Sequence, residues 1–400
     1  MKLVVVGPAY PFRGGISHYT TLLCRHLQER HAVRLISFKR QYPAWLFPGK
    51  TQLDPSRVKM MINGERVLDP LDPMTWFRAV KAVRTFAPDL VIFQWWNPFF
   101  AVPYFFISSR SRHRIPGKIW FECHNVIPHE TSPLDSFLIR MAFSAVDRFI
   151  VHSEADKARL LKIKPGGYVV KIPFPTWDVF LGGDGPTDRP CKIVGVRADG
   201  PVAPPPDLCK KPHPTGCKHL LFFGNVRPYK GLAYLLEALS SILKEIPVHL
   251  WVVGEFYEGE VAYRKQISDL GIADHVCLIN RYIPNEEVGD YFKLADLVVL
   301  PYVSASQSAV VQVAYSFDKP VVVTAVGGLP EAVEDGVTGF VVPPQDSRAL
   351  AQTIVRYFKK DKAPEFAQQI RKKKACFSWG RLVQEIEALM QSETPSRLLT

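Results

Sequence analysis

Short runs of aliphatic and β-branched residues recur along this chain, and between them apolar positions return every three or four residues. Residues 3–6, 32–37, 90–94, 119–123 and 148–151 are almost continuously apolar, the pattern of strands covered on both faces in a parallel sheet. Residues 16–28 and 74–86 carry the helical period, so the first half reads as a doubly wound α/β unit. The second half repeats the scheme, with strands over 220–223, 248–253, 276–279, 297–300 and 320–324. Helices are predicted there over 232–244, 263–270, 285–294 and 309–317. Residues 335–344 read as a glycine turn into a further strand.

Between the halves, residues 184–216 hold eight prolines and few large apolar side chains, a composition that resists helix and sheet alike. The predicted organisation is a first domain over 1–183, a proline-rich linker over 184–217 and a second domain over 218–376. A C-terminal helix and tail over 377–400 is expected to pack back across the domain junction. Two cores suit a chain of 400 residues, and 47% apolar with 22% charged residues excludes a globally disordered chain.

Charge narrows the choice of partner. The net charge of +12 favours anionic partners. Basic residues are spread, with short clusters only at 110–114 and 371–374, and no nucleic-acid motif accompanies them. Phosphate-bearing small molecules and anionic lipid are therefore the expected partners, and nucleic acid is not. Seven cysteines match neither a disulfide framework nor a zinc ribbon, which points to a reducing compartment. The chain enters a strand at once, with no leader pattern, and is read as cytoplasmic. No stretch reaches the roughly 18–20 apolar residues of a spanning helix. The apolar run 99–107, followed by basic residues, reads either as a buried helix or as a surface touching an anionic membrane from the inner face.

Candidate chemistry falls where predicted strands end, the ligand-binding edge of open α/β sheets. Gly14 and Gly15 follow the first strand and precede a helix, where glycine lets a ligand approach and the helix terminus favours an anion. His124 and Asn125 open the segment His124-Asn-Val-Ile-Pro-His-Glu130 after the strand 119–123. Its two histidines carry Pro128 between them, so a metal site on one helical face is not expected, and His124 is assigned to sugar hydroxyls or the reacting centre. Arg227 and Lys230 stand three apart on the loop before helix 232–244, suited to clamping a diphosphate and stabilising it as it leaves. Gln307 and Ser308 precede an apolar helix that carries Gln312, offering caps and free amides to phosphate. Gly327 and Gly328 offer close backbone approach, with Glu331 following.

In this order and spacing the clusters resemble glycosyltransferase family 4. The resemblance covers most of the chain through Gly14-Gly15, the segment 124–130, the loop 224–231, and 319–324 with Gly327-Gly-Leu-Pro-Glu331. It implies the GT-B fold, two doubly wound Rossmann-like domains facing a cleft. It also implies a retaining, metal-independent transfer of sugar from a nucleotide diphosphate donor to a glycan or lipid-linked acceptor, with no cofactor. Implied roles are Gly15 near the donor phosphates and acceptor, His124 near the transferred sugar, and Arg227 and Lys230 on the diphosphate. The family's Glu-x7-Glu pair is absent: registered on Ala314 and Pro320, its positions are Ala305 and Val313. Gln307 and Gln312 offer amide hydrogen bonds nearby, without charge. The alternative is a non-catalytic nucleotide-sugar-binding or scaffold protein. A dehydrogenase is not expected, since no Gly-x-Gly-x-x-Gly follows the first strand.

Overall fold

Strands rich in Val, Ile, Leu and Phe pair side by side because each can bury both faces only under helices on either side. The computed structural model describes residues 1–47, 49, 51–57, 59–115, 118–128, 132–181 and 216–392. In the first domain the strands are β1 (Lys2–Val6), β2 (Ala32–Phe38), β3 (Glu65–Leu68), β4 (Leu90–Trp95), β5 (Lys118–Cys123), β6 (Arg148–Val151) and β7 (Tyr168–Lys171). They form one sheet in the order β3-β2-β1-β4-β5-β6-β7, every pair parallel. The second domain has β8 (Lys218–Phe223), β9 (Val248–Val253), β10 (Val276–Ile279), β11 (Leu297–Leu300), β12 (Val321–Thr324) and β13 (Gly339–Val342). Their order is β10-β9-β8-β11-β12-β13, again all parallel.

Both sheets reverse their winding next to the first strand of the domain, between β1 and β4 and between β8 and β11. That reversal leaves a crevice at the carboxyl ends of the strands. The strands on either side of it are almost wholly buried: Leu3, Val4, Val5, Leu90, Val91 and Ile92 in one sheet, Leu220, Phe222, Leu297 and Val298 in the other.

Helix Trp379–Gln391 ends the described chain on the first domain. Ser378 caps it through Arg381 N at 3.2 Å. The Trp379 ring stacks on His26 with centroids 5.4 Å apart, and its indole N–H donates to Thr176 O at 2.9 Å. Glu387 pairs with His31 at 2.8 Å and Arg30 at 3.1 Å. The buried Arg148 guanidinium donates to Leu389 O and to Ser392 O, closing the helix end.

The run 99–107 forms a short 3₁₀ turn and helix Ala101–Arg112, with Phe100, Ala101, Tyr104 and Ile107 buried. It is a helix packed into the core on one side, with Val102 exposed on the other. Among the described residues no helix is long and apolar enough to cross a membrane. The linker 184–217 lies outside the described residues except for Gly216 and Cys217, as does the tail beyond Ser392.

Candidate active site

A cavity of about 1080 Å³ lies between the domains, walled by loops that follow β1, β4 and β5 on one side and β8, β9 and β11 on the other. From the first domain come Gly14, Gly15, His18, Trp96, Asn97, His124 and Asn125. The second contributes Gly224, Asn225, Arg227, Lys230, Glu255, Tyr257, Tyr302, Gln307 and Ser308.

Arg227 and Lys230 frame the 3₁₀ turn Pro228–Lys230, whose fixed proline φ starts the turn. Gly231 ends it at φ 68°, and a Cβ there would stand 1.9 Å from Pro301 O. The turn is thereby locked onto the exit of β11, with Val303 N donating to Tyr229 O at 2.7 Å. A Gly231→Ala substitution meets left-handed backbone and a carbonyl together. It is expected to cost on the order of 2–4 kcal/mol in urea unfolding and to weaken nucleotide binding by displacing both cations.

The Arg227 guanidinium lies 4.9 Å from the Tyr257 ring centre and Lys230 Nζ 5.5 Å from that of Tyr302. No carboxylate lies within ion-pair distance of Lys230 among the described residues. Burial, and then repulsion from Arg227, push its ammonium down to about 8. A ligand-free fold holding this lysine becomes more stable as pH rises from 8 toward the ordinary lysine range, because the unfolded chain binds the extra proton there. Anion binding runs the other way, since only the ammonium attracts a diphosphate. Affinity for a nucleoside diphosphate is expected to be flat below pH 8 and to fall by roughly tenfold per unit above it. Calorimetric titrations between pH 7 and 9.5 check this.

His124 begins the loop after β5 and is tied down through a buried chain of hydrogen bonds. Gln94 Nε2 donates to Glu122 at 2.7 Å, so the Gln94 carbonyl oxygen is the acceptor for His124 Nε2, 2.7 Å away. That leaves His124 Nδ1 unprotonated. Burial and the neighbouring His152 hold His124 well below its ordinary value, so the ring is neutral near pH 7. Glu122 also accepts from Tyr19 at 2.5 Å; burial pushes it up to about 7 against the pull of these donors.

The cavity is closed on one side by contacts between the domains. Arg13 pairs with Glu255 at 2.5 Å, both side chains under a tenth exposed, and the guanidinium lies 5.1 Å from the Tyr282 ring centre. Asp54 accepts from His18 at 2.9 Å and from Asn285 Nδ2 at 3.1 Å, while Asn285 N donates to Ser56 Oγ at 2.8 Å. Burial raises the Asp54 carboxyl, but hydrogen bonds from His18 and Ser56 outweigh it and hold it down to about 2.

The structure brings Gly14, Gly15, His124, Asn125, Arg227, Lys230, Gln307 and Ser308 to one cavity. Gln307 Nε2 is a buried donor with no partner there, whereas Ser308 Oγ caps helix Ala309–Ser316 through Val310 N at 3.3 Å. Four expected donor-binding residues do not line it. Gln312 is buried within its helix. A Cβ on Gly327 would meet Ala305 O at 1.8 Å, and one on Gly328 the Ser153 side chain at 2.6 Å, so both glycines serve backbone packing. Glu331 accepts from Glu154 N at 2.8 Å and pairs with Lys171 at 3.3 Å, tying the second domain to the first. His129 and Glu130 lie outside the described residues. Arg13, Glu255 and Tyr257 were not singled out from sequence. Glu255 sits just past a glycine at the end of β9, the same position relative to its strand that marked the other loops. Ala305 and Val313, where the family's glutamates would stand, both line the cavity. Among the described residues no three His, Cys, Asp or Glu side chains converge as metal ligands.

Two Rossmann-like units facing a cleft, with ligand-suited loops from both, define the GT-B class. The fold is shared with sucrose-phosphate synthase from Thermosynechococcus elongatus (TM-score 0.72, 18% identity, covering 97% of this chain and 98% of that one). It is shared too with Anabaena HepE in complex with UDP-glucose (TM-score 0.69, 18% identity, covering 97% and 99%). Residues 13–173 match the family model Glycosyltransferase Family 4 and residues 217–360 match Glycosyl transferases group 1. The chain belongs to glycosyltransferase family 4. Curated relatives include the D-inositol 3-phosphate glycosyltransferase of Streptomyces griseus subsp. griseus, 29% identical over 246 residues, 58% of this chain and 48% of the relative. That of Frankia alni is 36% identical over 146 residues, 34% of this chain and 36% of the relative. The matched stretch thus spans about half or less of these relatives' length.

Proposed function

We propose that the chain is a retaining glycosyltransferase that moves a sugar from a nucleoside diphosphate donor without a metal ion. The observation that carries this is Lys230: a half-buried ammonium in the cleft wall beside Arg227, with no carboxylate within ion-pair distance among the described residues. A half-buried lysine ammonium beside a second cation suits a ligand that brings negative charge. The donor diphosphate then lies on the loop 224–231, and Arg227 and Lys230 stabilise the charge that grows as the bond from anomeric carbon to phosphate oxygen breaks. The acceptor hydroxyl enters from the first domain and bonds to the anomeric carbon on the face the diphosphate leaves. Its proton departs with the diphosphate. His124, neutral and oriented by Gln94, holds the sugar between them. No residue forms a covalent intermediate.

HepE, which shares the fold, forms complexes with UDP and with UDP-glucose, which supports a nucleotide sugar here. Thermal-shift titration against UDP, GDP and ADP and their sugar conjugates tests the reading, because a ligand of the folded state raises its melting temperature. A shift with one nucleotide is the expected result; silence across the panel from folded protein overturns it. The apolar Ala305 and Val313 in the cavity wall favour a second reading, a nucleotide-sugar-binding protein without transfer. Binding with no turnover or hydrolysis across an acceptor panel would establish that one instead.

A further inference from the structure

The donor-suited loops account for the second-domain wall of the cavity. The first-domain wall beyond His124 and Asn97 has a different character: Tyr42, Leu46, Phe99, Leu134 and Leu138 line it. Tyr42 stacks on Phe99 with centroids 5.6 Å apart and on Phe47 at 6.3 Å. The Tyr42 hydroxyl is already satisfied, accepting from the Trp96 indole N–H at 2.9 Å. Gln41, Ser132 and Asp135 line the same wall, so it offers hydrocarbon and aromatic surface interrupted by polar groups at its edges.

The wall runs out to an exposed apolar rim. Trp45 is 81% exposed and Leu46 40% on the segment after β2, facing solvent with Leu134 at 67% and Phe137 at 66% around the start of helix Asp135–Ser144. Scattered exposed apolar residues are ordinary. Here two pairs, Trp45 with Leu46 and Leu134 with Phe137, come from segments some ninety positions apart, and one member of each, Leu46 and Leu134, belongs to the cavity wall itself. A free glycan leaves such a surface unused, whereas a hydrocarbon chain removes it from water.

Resting on the glycosyltransferase reading, we infer that the acceptor is an amphiphile. Its hydroxyl end reaches His124 and Asn97, and its hydrocarbon chain lies along Tyr42, Leu46, Phe99, Leu134 and Leu138 toward the rim. The groove is continuous with the donor cavity, so one molecule spans both. The exposed Arg140, one turn from Phe137, places a cation where the chain emerges, suited to an anionic lipid around it.

Hexyl, octyl and decyl glucoside, each below its micelle concentration, serve as probes for the full chain, titrated calorimetrically with a saturating nucleotide present. Affinity is expected to rise about three- to fourfold per methylene. The double variant Leu46→Asp/Leu134→Asp, changed at exposed positions that leave the core intact, is expected to flatten that gradient. Val261→Asp, 83% exposed on the second domain and outside the cavity, is expected to keep it. An affinity independent of chain length, or a gradient that survives in the double variant, overturns the inference. A nucleotide-induced thermal shift with no gradient overturns the inference alone. A gradient without any nucleotide shift supports the groove and overturns the donor reading instead.

Discussion

Lys230→Met is expected to raise the melting temperature of the ligand-free protein while lowering turnover by about 10²–10³-fold, the loss seen when one preorganised stabiliser of a developing negative charge is removed. The two effects have one cause. Held beside Arg227 and away from bulk water, the ammonium is driven down to about 8, so at pH 7 the fold carries it charged at a cost. Methionine keeps the length and packing of the side chain and removes that cost. It also removes the charge that a diphosphate requires. Thermal melts without ligand and steady-state rates with the nucleotide sugar identified by the thermal-shift panel check the two halves separately. A variant that melts lower and turns over normally would make Lys230 a structural residue. Raising the pH of the wild type above 8 should mimic the substitution in both respects, stabilising the empty protein and weakening its hold on nucleotide.

Arg13→Met is expected to open the cleft. Arg13 and Glu255 meet at 2.5 Å from opposite domains, 242 positions apart, with under a tenth of either side chain exposed. Deleting the guanidinium removes one buried partner of the Glu255 carboxylate, a penalty of up to about 3–5 kcal/mol for breaking a buried pair. Each domain has a core cluster of its own and a third runs across both, so loosening of the cleft at the Arg13 junction, with rehydration of Glu255, is expected before either domain unfolds. The expected readouts are a larger radius of gyration in small-angle scattering and donor affinity reduced by tenfold or more, since Arg13 neighbours Gly14 and Gly15 on the cavity wall. The double variant Arg13→Met/Glu255→Gln should recover part of the closed form, because the carboxylate that lost its guanidinium is gone. No recovery would assign the effect to lost stacking of Arg13 on Tyr282 and Phe47, 5.1 and 5.2 Å away.

Function and stability are opposed at the same loop. Asp54, held down to about 2 by His18 and Ser56, and Glu331, on the backbone amides that start helix Glu154–Ile163, fasten the domains at two further points. Lys230 lines the cleft with no carboxylate within ion-pair distance among the described residues.

The doubly wound halves were legible in the sequence because a strand covered on both faces leaves an uninterrupted apolar run, as at 90–94 and 248–253. β3 and β7 were not: they lie at the sheet edges with mixed exposure along their length, so no run marks them. Glycines and cations after strands pointed to Gly14, Gly15, Arg227 and Lys230, since ligands meet open sheets at that edge whatever the tertiary detail. The same logic did not foresee the neighbours that Gly327, Gly328 and Glu331 have in the fold. Residue type and spacing say that backbone comes close or that a carboxylate seeks donors, but not whether the partner is a ligand or the neighbouring domain. That Glu331 found the amides of Glu154 and Ala155, and that Arg13 found Glu255, was decided only when the chain brought together segments 176 to 242 positions apart. Local pattern reports how deeply a residue is buried; only the packing of two completed domains determines against what.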